Sequence, residues 1–243
     1  MATACRTCPL RKWPIFDPLT EAEITFMESF KSSEQVAAPG ATLLNEGESS
    51  PQLFTVLEGM GLRYKTLPTG ERQVVNFVFP GDFLGLQAGV MAEMQHSVEA
   101  TTPMRLCVFN RSSLWSLFAD HPDRAFDLTW IAAIEEHLLG ESLAVIGRMS
   151  GLERIARAFV RLHDRGTAQG LVDGDSMPLP YRQHDLADAL GLSLVHTNKM
   201  LTRIRGLGLA SWQNGRLRIL NYPALCDLAQ LEAERGPLTR PLL

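Results

Sequence analysis

The stretch RQHDLADALGLSLVHTNKMLTRI, residues 182–204, has apolar residues at helical spacing on both sides of Gly191. Glycine tolerates the backbone conformation that is needed where two helices turn sharply. Ser193 comes two residues later and is a suitable N-cap for the second helix. The stretch therefore predicts two helices joined by a tight turn.

The second predicted helix has one apolar face and one polar face. The face that can pack inward consists of Leu194, Met200, Leu201 and Ile204. The polar face carries donors that suit DNA, with Asn198 and Lys199 directed to base edges and Arg203 to phosphates. The residues predicted to contact DNA from this helix are Ser193, His196, Thr197, Asn198, Lys199 and Arg203.

A β-hairpin is predicted just after this helix pair. Asn214-Gly215 is a strong signal for a two-residue turn, and Arg216 and Arg218 on the following strand suit phosphate contacts. Residues 182–218 carry six basic and two acidic side chains. A helix-turn-helix followed by a basic hairpin, or wing, is a specific combination that favours DNA binding over an ordinary helical bundle.

Two further helices are predicted before this motif. Ser150-Gly151 is a plausible cap or hinge ahead of an amphipathic helix that ends at Arg165-Gly166. A longer helix precedes it, and its near-heptad apolar positions are Ile131, Ile134, Leu138 and Val145. These side chains either pack on the rest of the chain or form the seam of a dimer, and different faces can serve each role.

Residues 36–110 read as short strands punctuated by glycine-containing turns, which predicts a sandwich or barrel. The chain is therefore expected to be an α+β protein in three parts. Residues 1–120 form an N-terminal β-barrel domain, residues 121–149 a long dimerisation helix, and residues 150–243 a winged helix-turn-helix domain.

Composition excludes several classes of protein. Hydrophobic residues make up 45% and charged residues 21%, which is typical of a globular chain. No membrane-spanning run or signal peptide is evident, so we expect a cytoplasmic protein without a membrane partner. The net charge of −4 is unevenly distributed along the chain. Residues 1–150 include 11 basic and 18 acidic residues, whereas residues 151–243 include 12 basic and 9 acidic residues. No catalytic motif supports an enzyme.

The order of these parts resembles the cyclic-AMP receptor protein and Fnr (Crp/Fnr) superfamily of bacterial transcription regulators. The resemblance runs from about Phe16 to Leu225, and its motifs are LLNEGE at 43–48, LFTVLEG at 53–59, FPGDFLG at 79–85 and the helix-turn-helix. It implies a cyclic-nucleotide-binding-like double-stranded β-helix, a homodimer on a near-palindromic DNA site, and switching by an effector. RNA polymerase would be a further partner if the protein activates genes. Val195 replaces the acidic residue of well-known members, so the DNA site is expected to differ.

The candidate effector pocket departs from the family pattern. It comprises Gly81, Asp82, Gly85, His96 and Ser97. Members that bind cyclic nucleotides close their phosphate cassette with Arg-Ser or Arg-Thr, whereas His96-Ser97 stands here, and neutral imidazole cannot replace the charged Arg–phosphate pairing. Cyclic AMP is therefore not expected as the effector. A constitutive regulator without an effector remains an alternative.

The cysteines raise a second alternative. Fnr members hold an iron–sulfur cluster, and this chain has Cys5, Cys8 and Cys107 at matching places but lacks Fnr's additional N-terminal cysteine. Three thiolates need a further ligand to complete such a site. An oxygen or redox sensor, a redox-active thiol pair, a zinc site and an ordinary segment all stay open, as does haem, and Cys226 is expected to be a buried thiol. The cofactor is thus left undetermined.

Overall fold

The computed structural model describes residues 2–231 and 239–243, and the described chain packs as two compact units. One unit, the sheet unit, comprises Met1–Glu136 together with Thr239–Leu243. The other, the helix-turn-helix unit, comprises His137–Leu238. The predicted functional division at residues 120 and 149 stays a prediction.

The sheet unit is built from two four-stranded antiparallel sheets. Helix α1 (Glu21–Phe30) precedes the strands, and a short helix α2 (Leu86–Met91) lies between the sixth and seventh of them. The strands are β1 (Lys31–Ala37), β2 (Thr42–Leu44), β3 (Gln52–Glu58), β4 (Gly61–Thr66), β5 (Arg72–Val78), β6 (Phe83–Leu84), β7 (Ser97–Ala100) and β8 (Met104–Asn110). Their orders are β1-β8-β3-β6 and β2-β7-β4-β5.

A single apolar core joins the two sheets. Phe54 and Val108 come from one sheet and Val98 from the other, and all three are buried in the same cluster. Alternating burial is weak in β3, where five consecutive residues are buried, because this strand is covered on both faces. The predicted β-rich N-terminal domain is confirmed.

Two helices follow the sheets. They are α3 (Leu114–Asp120) and α4 (Pro122–Arg148), and α4 is the long helix that the sequence predicts. The first part of α4 is fixed to the sheet unit, since Leu128 and Ile131 are buried and Glu135 pairs with Arg63 of β4 at 3.0 Å. Ile131 is only 3% exposed, so its side chain packs within its own chain.

The helix-turn-helix unit contains the end of α4 and seven further elements. They are α5 (Gly151–Ala168), β9 (Ser176–Pro178), α6 (Gln183–Leu190), α7 (Leu194–Gly206), β10 (Ala210–Gln213), β11 (Arg216–Ile219) and α8 (Tyr222–Leu228). The strands form one antiparallel sheet in the order β10-β11-β9. The predicted winged helix-turn-helix and the hairpin at Asn214-Gly215 are confirmed.

Helix α5 supplies the main apolar face of this unit. It starts with a capping box, in which Ser150 N–H donates to Glu153 Oε2 at 2.7 Å and Glu153 N–H to Ser150 Oγ at 3.5 Å. Its predicted end at Arg165-Gly166 is wrong, because the helix continues to Ala168. A Cβ at Gly166 would lie 2.7 Å from Met177 Cε, so glycine permits close packing here rather than ending the helix.

No helix within the described ranges combines the length and apolar character needed to cross a membrane.

Candidate DNA interface and sensor site

Helix α7 is placed by the turn before it and by its cap. Gly191 has φ 61°, in the left-handed region, and the N–H of Leu192 donates to the carbonyl of Ala187 at 3.1 Å. Ser193 Oγ then accepts a hydrogen bond from His196 N–H at 3.2 Å. Ser193 was predicted to contact DNA, and in the free protein its hydroxyl serves as the N-cap of the helix.

The two faces of α7 follow a helical repeat. Thr197, Met200 and Ile204 point into the unit, whereas Asn198 and Lys199 are exposed. Thr197 is a correction to the predicted DNA-contacting set, because its side chain is 0% exposed and faces the interior of the unit. Its phase on the helix matches Met200 and Ile204, three and seven residues later.

The exposed face of α7 is strongly basic. Lys199, Arg203 and Arg205 are all exposed, and within the described part of the chain none of them has an ion-pair partner. Arg205 was not among the predicted contacts, although its charge and its place in the last turn were visible in the sequence. His196 is exposed but lies against α5, since a Cβ at Gly151 would be 2.4 Å from His196 Nε2.

The wing presents its two arginines on one side of β11. Leu217 and Ile219 are buried and Arg216 and Arg218 alternate with them on the exposed side. Arg216 Nη2 donates to Ser176 Oγ at 2.8 Å, and Arg218 Nε lies 3.1 Å from the Asp175 carboxylate. The exposed pair with Asp175 is weak enough to be exchanged for a phosphate.

The candidate effector residues fall into two groups. His96 and Ser97 lie at the start of β7, where Ser97 Oγ accepts a hydrogen bond from Glu46 N–H at 3.0 Å. Burial, together with the nearby charges of Arg63 and Lys65, lowers the pKa of His96 to about 4. The imidazole is therefore neutral at physiological pH.

Asp82 belongs to the other group and has different partners. One carboxylate oxygen accepts Phe79 N–H at 2.9 Å, and the other lies 3.1 Å from Arg240 Nη1. Beside it, Gly81 has φ 85° and lies beneath the ring of Phe16, where a Cβ would come within 2.1 Å of the ring. Gly85 starts α2 in the left-handed region. The hypothesis that these five residues line one effector pocket stays a prediction.

The three predicted thiols converge. Cys5, Cys8 and Cys107 line one cavity of about 30 Å³, together with Thr55, Leu242 and Leu243. That volume is close to that of one water molecule. A four-iron cluster does not fit this arrangement, because among the described residues no three His, Cys, Asp or Glu side chains lie close enough together to hold a metal. Cys226 is buried in the other unit, as expected.

Comparison with known proteins agrees with this geometry. Residues 34–121 match the model of the cyclic nucleotide-binding domain, and residues 153–228 that of the Crp-like helix-turn-helix domain. The nitrogen fixation regulation protein FixK of Rhizobium meliloti is 32% identical over 193 residues, covering 78% of this chain and 84% of its own. FixK of Bradyrhizobium diazoefficiens is 27% identical over 230 residues, covering 94% and 92%.

A solved structure supports the same fold. FixK2 from Bradyrhizobium japonicum superposes with a TM-score of 0.73 at 25% identity, covering 81% of this chain and 96% of that protein. The fold and the exposed basic helix define a DNA-binding transcription regulator with a helix-turn-helix. The chain belongs to the Crp/Fnr family.

Proposed function

We propose that this protein is a cytoplasmic, homodimeric Crp/Fnr regulator that reads a specific DNA sequence with the exposed face of α7. The observation that carries the proposal is the division of α7 into a buried face and an exposed face whose basic side chains have no ion-pair partner among the described residues. A recognition helix needs both, because one face fixes its orientation and the other enters the major groove.

The side chains of that face have distinct chemistry. Asn198 can pair with the two edge atoms of adenine, and Lys199 can donate to guanine. Val195 is 80% exposed and offers an apolar surface for a thymine methyl group. Arg203 and the wing's Arg216 and Arg218 contribute phosphate contacts, which position the protein without reading sequence.

Dimerisation is assigned to α4. Its later part leaves large apolar side chains uncovered, with Leu139 51% and Leu143 74% exposed. Ile134, Leu138 and Val145, predicted for the seam, each keep part of their surface exposed in the single chain. A helix with this much exposed apolar surface favours association with a second copy. Two copies of α7 would then read two half-sites, as the family resemblance implies.

The input signal acts at the sheet unit and is not cyclic AMP. The neutral His96 beside Ser97 gives no cation to pair with a cyclic phosphate, and the nearby Arg63 is already paired with Glu135. A constitutive regulator would show the same DNA affinity under all conditions. RNA polymerase is the expected partner if the protein activates its genes.

The test begins with selection of preferred sites from a pool of random double-stranded DNA. Asn198→Ala combined with Lys199→Ala should then lower affinity for the selected site at least about 100-fold, because two base contacts are worth several kcal/mol. Lys12→Ala, which removes an exposed positive charge from the sheet unit, is the matched control and should leave affinity within about twofold.

Either of two results would contradict the proposal. One is recovery of no preferred sequence from the pool by the wild-type protein at low salt. The other is a double variant that stays folded and keeps wild-type affinity for the selected site, since α7 would then not be the reading element.

A further inference from the structure

Residues 239–243, here called the return segment, are held on the sheet unit by backbone bonds. Arg240 N–H donates to the carbonyl of Ile15 at 2.7 Å, and Asp17 N–H donates to the carbonyl of Arg240 at 3.0 Å. This pairing is a parallel bridge with Phe16. A short peptide held by such bonds adds to an existing backbone edge, which is a common mode of peptide recognition.

Side chains of the sheet unit fix the register of the return segment. Asp82 forms a nearly buried ion pair with Arg240, in which Asp82 Oδ1 lies 3.1 Å from Arg240 Nη1. Arg124 of α4 donates to the carbonyl of Leu242 at 3.4 Å, and Thr55 of β3 donates to the carbonyl of Leu243. These groups come from three separate parts of the unit, so the segment lies in a formed groove.

The apolar end of the segment forms part of the wall of the thiol cavity. Leu242 and Leu243 are each 5% exposed and line it with Cys5, Cys8 and Cys107. The space that remains has a volume of about 30 Å³, close to that of one water molecule. Cys107 is buried beneath it, whereas Cys5 and Cys8 keep part of their surface exposed. The two leucines therefore cover the buried end of the cavity, where Cys107 lies.

The surroundings of the three thiols disfavour the thiolate form. Burial raises the pKa values of Cys5 and Cys8, and raises that of Cys107 to about 12. The positive charge of Lys31 opposes the shift at Cys107. Its own side chain is buried and paired with Glu34 at 2.6 Å. Since the thiolate is the nucleophile, reaction requires water to enter the cavity.

We propose that the sheet unit carries a peptide-binding groove whose ligand is the chain's own residues 239–243, and that this ligand closes the cavity of three thiols. The groove selects an arginine two residues before a pair of leucines. Docking of the segment protects the thiols from chemical modification. Modification of the thiols in turn lowers the affinity of the groove for the segment. Docking and release of the segment thus control the access of solvent to the cysteines.

The experiment measures alkylation by N-ethylmaleimide at each cysteine, resolved by peptide mass spectrometry, in the intact chain and in a chain lacking residues 239–243. We expect the rate at Cys107 to rise at least roughly tenfold in the shortened chain, because its protection depends on the segment, and the rates at the partly exposed Cys5 and Cys8 to rise less. Cys226 is the internal control, because it is buried in the helix-turn-helix unit and should keep its rate.

Addition of the synthetic peptide Thr-Arg-Pro-Leu-Leu separates gating from unfolding. It should slow alkylation of the shortened chain towards the intact rate, whereas the same peptide with Glu in place of Arg should not, because Glu is repelled by Asp82. Equal rates in the two chains, or no protection by the peptide while Cys226 stays unreactive, would overturn the proposal.

A point variant covers the case in which the deletion disrupts the fold and Cys226 also reacts. Arg240→Gln removes the charge that pairs with Asp82 and lies over the Phe16 ring, and keeps the backbone bonds of the segment. It should raise the rate at Cys107 severalfold, with Cys226 unchanged. Wild-type rates in that variant would then overturn the proposal.

Discussion

The guanidinium of Arg240 lies 3.1 Å from the carboxylate of Asp82, although 158 positions separate the two residues in the chain. Their side chains are 13% and 3% exposed, so neither charge is well solvated. Removing one partner of such a pair leaves the other buried without its counter-charge, which is costly.

Asp82→Asn is therefore expected to lower the free energy of unfolding by about 3 kcal/mol in urea titrations. Asp175→Asn is the matched control, because it breaks an exposed pair with Arg218 and should cost at most about 1 kcal/mol. In Asp82→Asn with Arg240→Gln, the two losses should be clearly less than additive. Strict additivity would mean that the two side chains do not interact in solution.

Thr197→Val should stabilise the helix-turn-helix unit by about 1 kcal/mol, because the hydroxyl is buried without a hydrogen-bond partner among the described residues. The preferred DNA sequence should not change, since the side chain points away from the reading face. Thermal unfolding and a repeat of the site selection check both parts. Thr202→Val, at an exposed position on the same helix, should give no gain in stability. An altered DNA preference in Thr197→Val would show that the side chain does reach DNA.

The low pKa of His96 makes stability depend on pH in a known direction. The imidazole of His96 takes up a proton near pH 6.5 in the unfolded chain but only near pH 4 in the folded protein. Folding is therefore favoured above pH 6.5, and this contribution to stability is lost as the pH falls towards 4. The difference in unfolding free energy between wild type and His96→Gln should therefore shift against wild type between pH 7 and pH 5. A difference independent of pH, or an imidazole NMR resonance that titrates near pH 6.5, would contradict the assignment.

Leu139→Asp combined with Leu143→Asp should dissociate the dimer that we propose, because it places two charges in the apolar contact assigned to α4. Sedimentation velocity should show a folded monomer with weakened affinity for a two-half-site DNA. Both positions are exposed in the single chain, so the fold itself should survive. Val36→Asp, at an equally exposed position on β1, is the control and should remain dimeric. If the double variant is still a dimer, the dimer interface must lie on another surface.

Local elements of this protein were predictable from sequence. The turn at Gly191, the cap at Ser193 and the hairpin at Asn214-Gly215 depend on neighbouring residues, and each is found where the sequence predicts it. Thr197 was misplaced because consecutive residues of a helix differ by only about 100° in direction, and a polar residue between Val195 and Asn198 does not reveal its phase. Burial of Met200 and Ile204 was the signal that could have corrected it.

Contacts between distant parts of the chain were not predictable. Asp82 fitted a family motif, yet its partner is Arg240, and no periodicity or turn links positions so far apart. Ile131 had the spacing of a seam residue, but it is buried within its own chain. The only hint of the return segment was the apolar pair Leu242-Leu243, which is too short to predict a structure. Such pairings depend on tertiary packing, which a single sequence does not report.

The sheet unit is composed of two stretches of chain that are made at different times. Ribosomes release the N-terminal stretch first, and domains begin to fold as they emerge. The groove must then stand empty while the entire helix-turn-helix unit is synthesised, because residues 239–243 follow it in the chain. If the segment gates the cavity as proposed, Cys107 stays uncovered during translation until residues 239–243 have been made. Reactions that need these thiols uncovered would then have to occur before residues 239–243 of the new molecule have been synthesised.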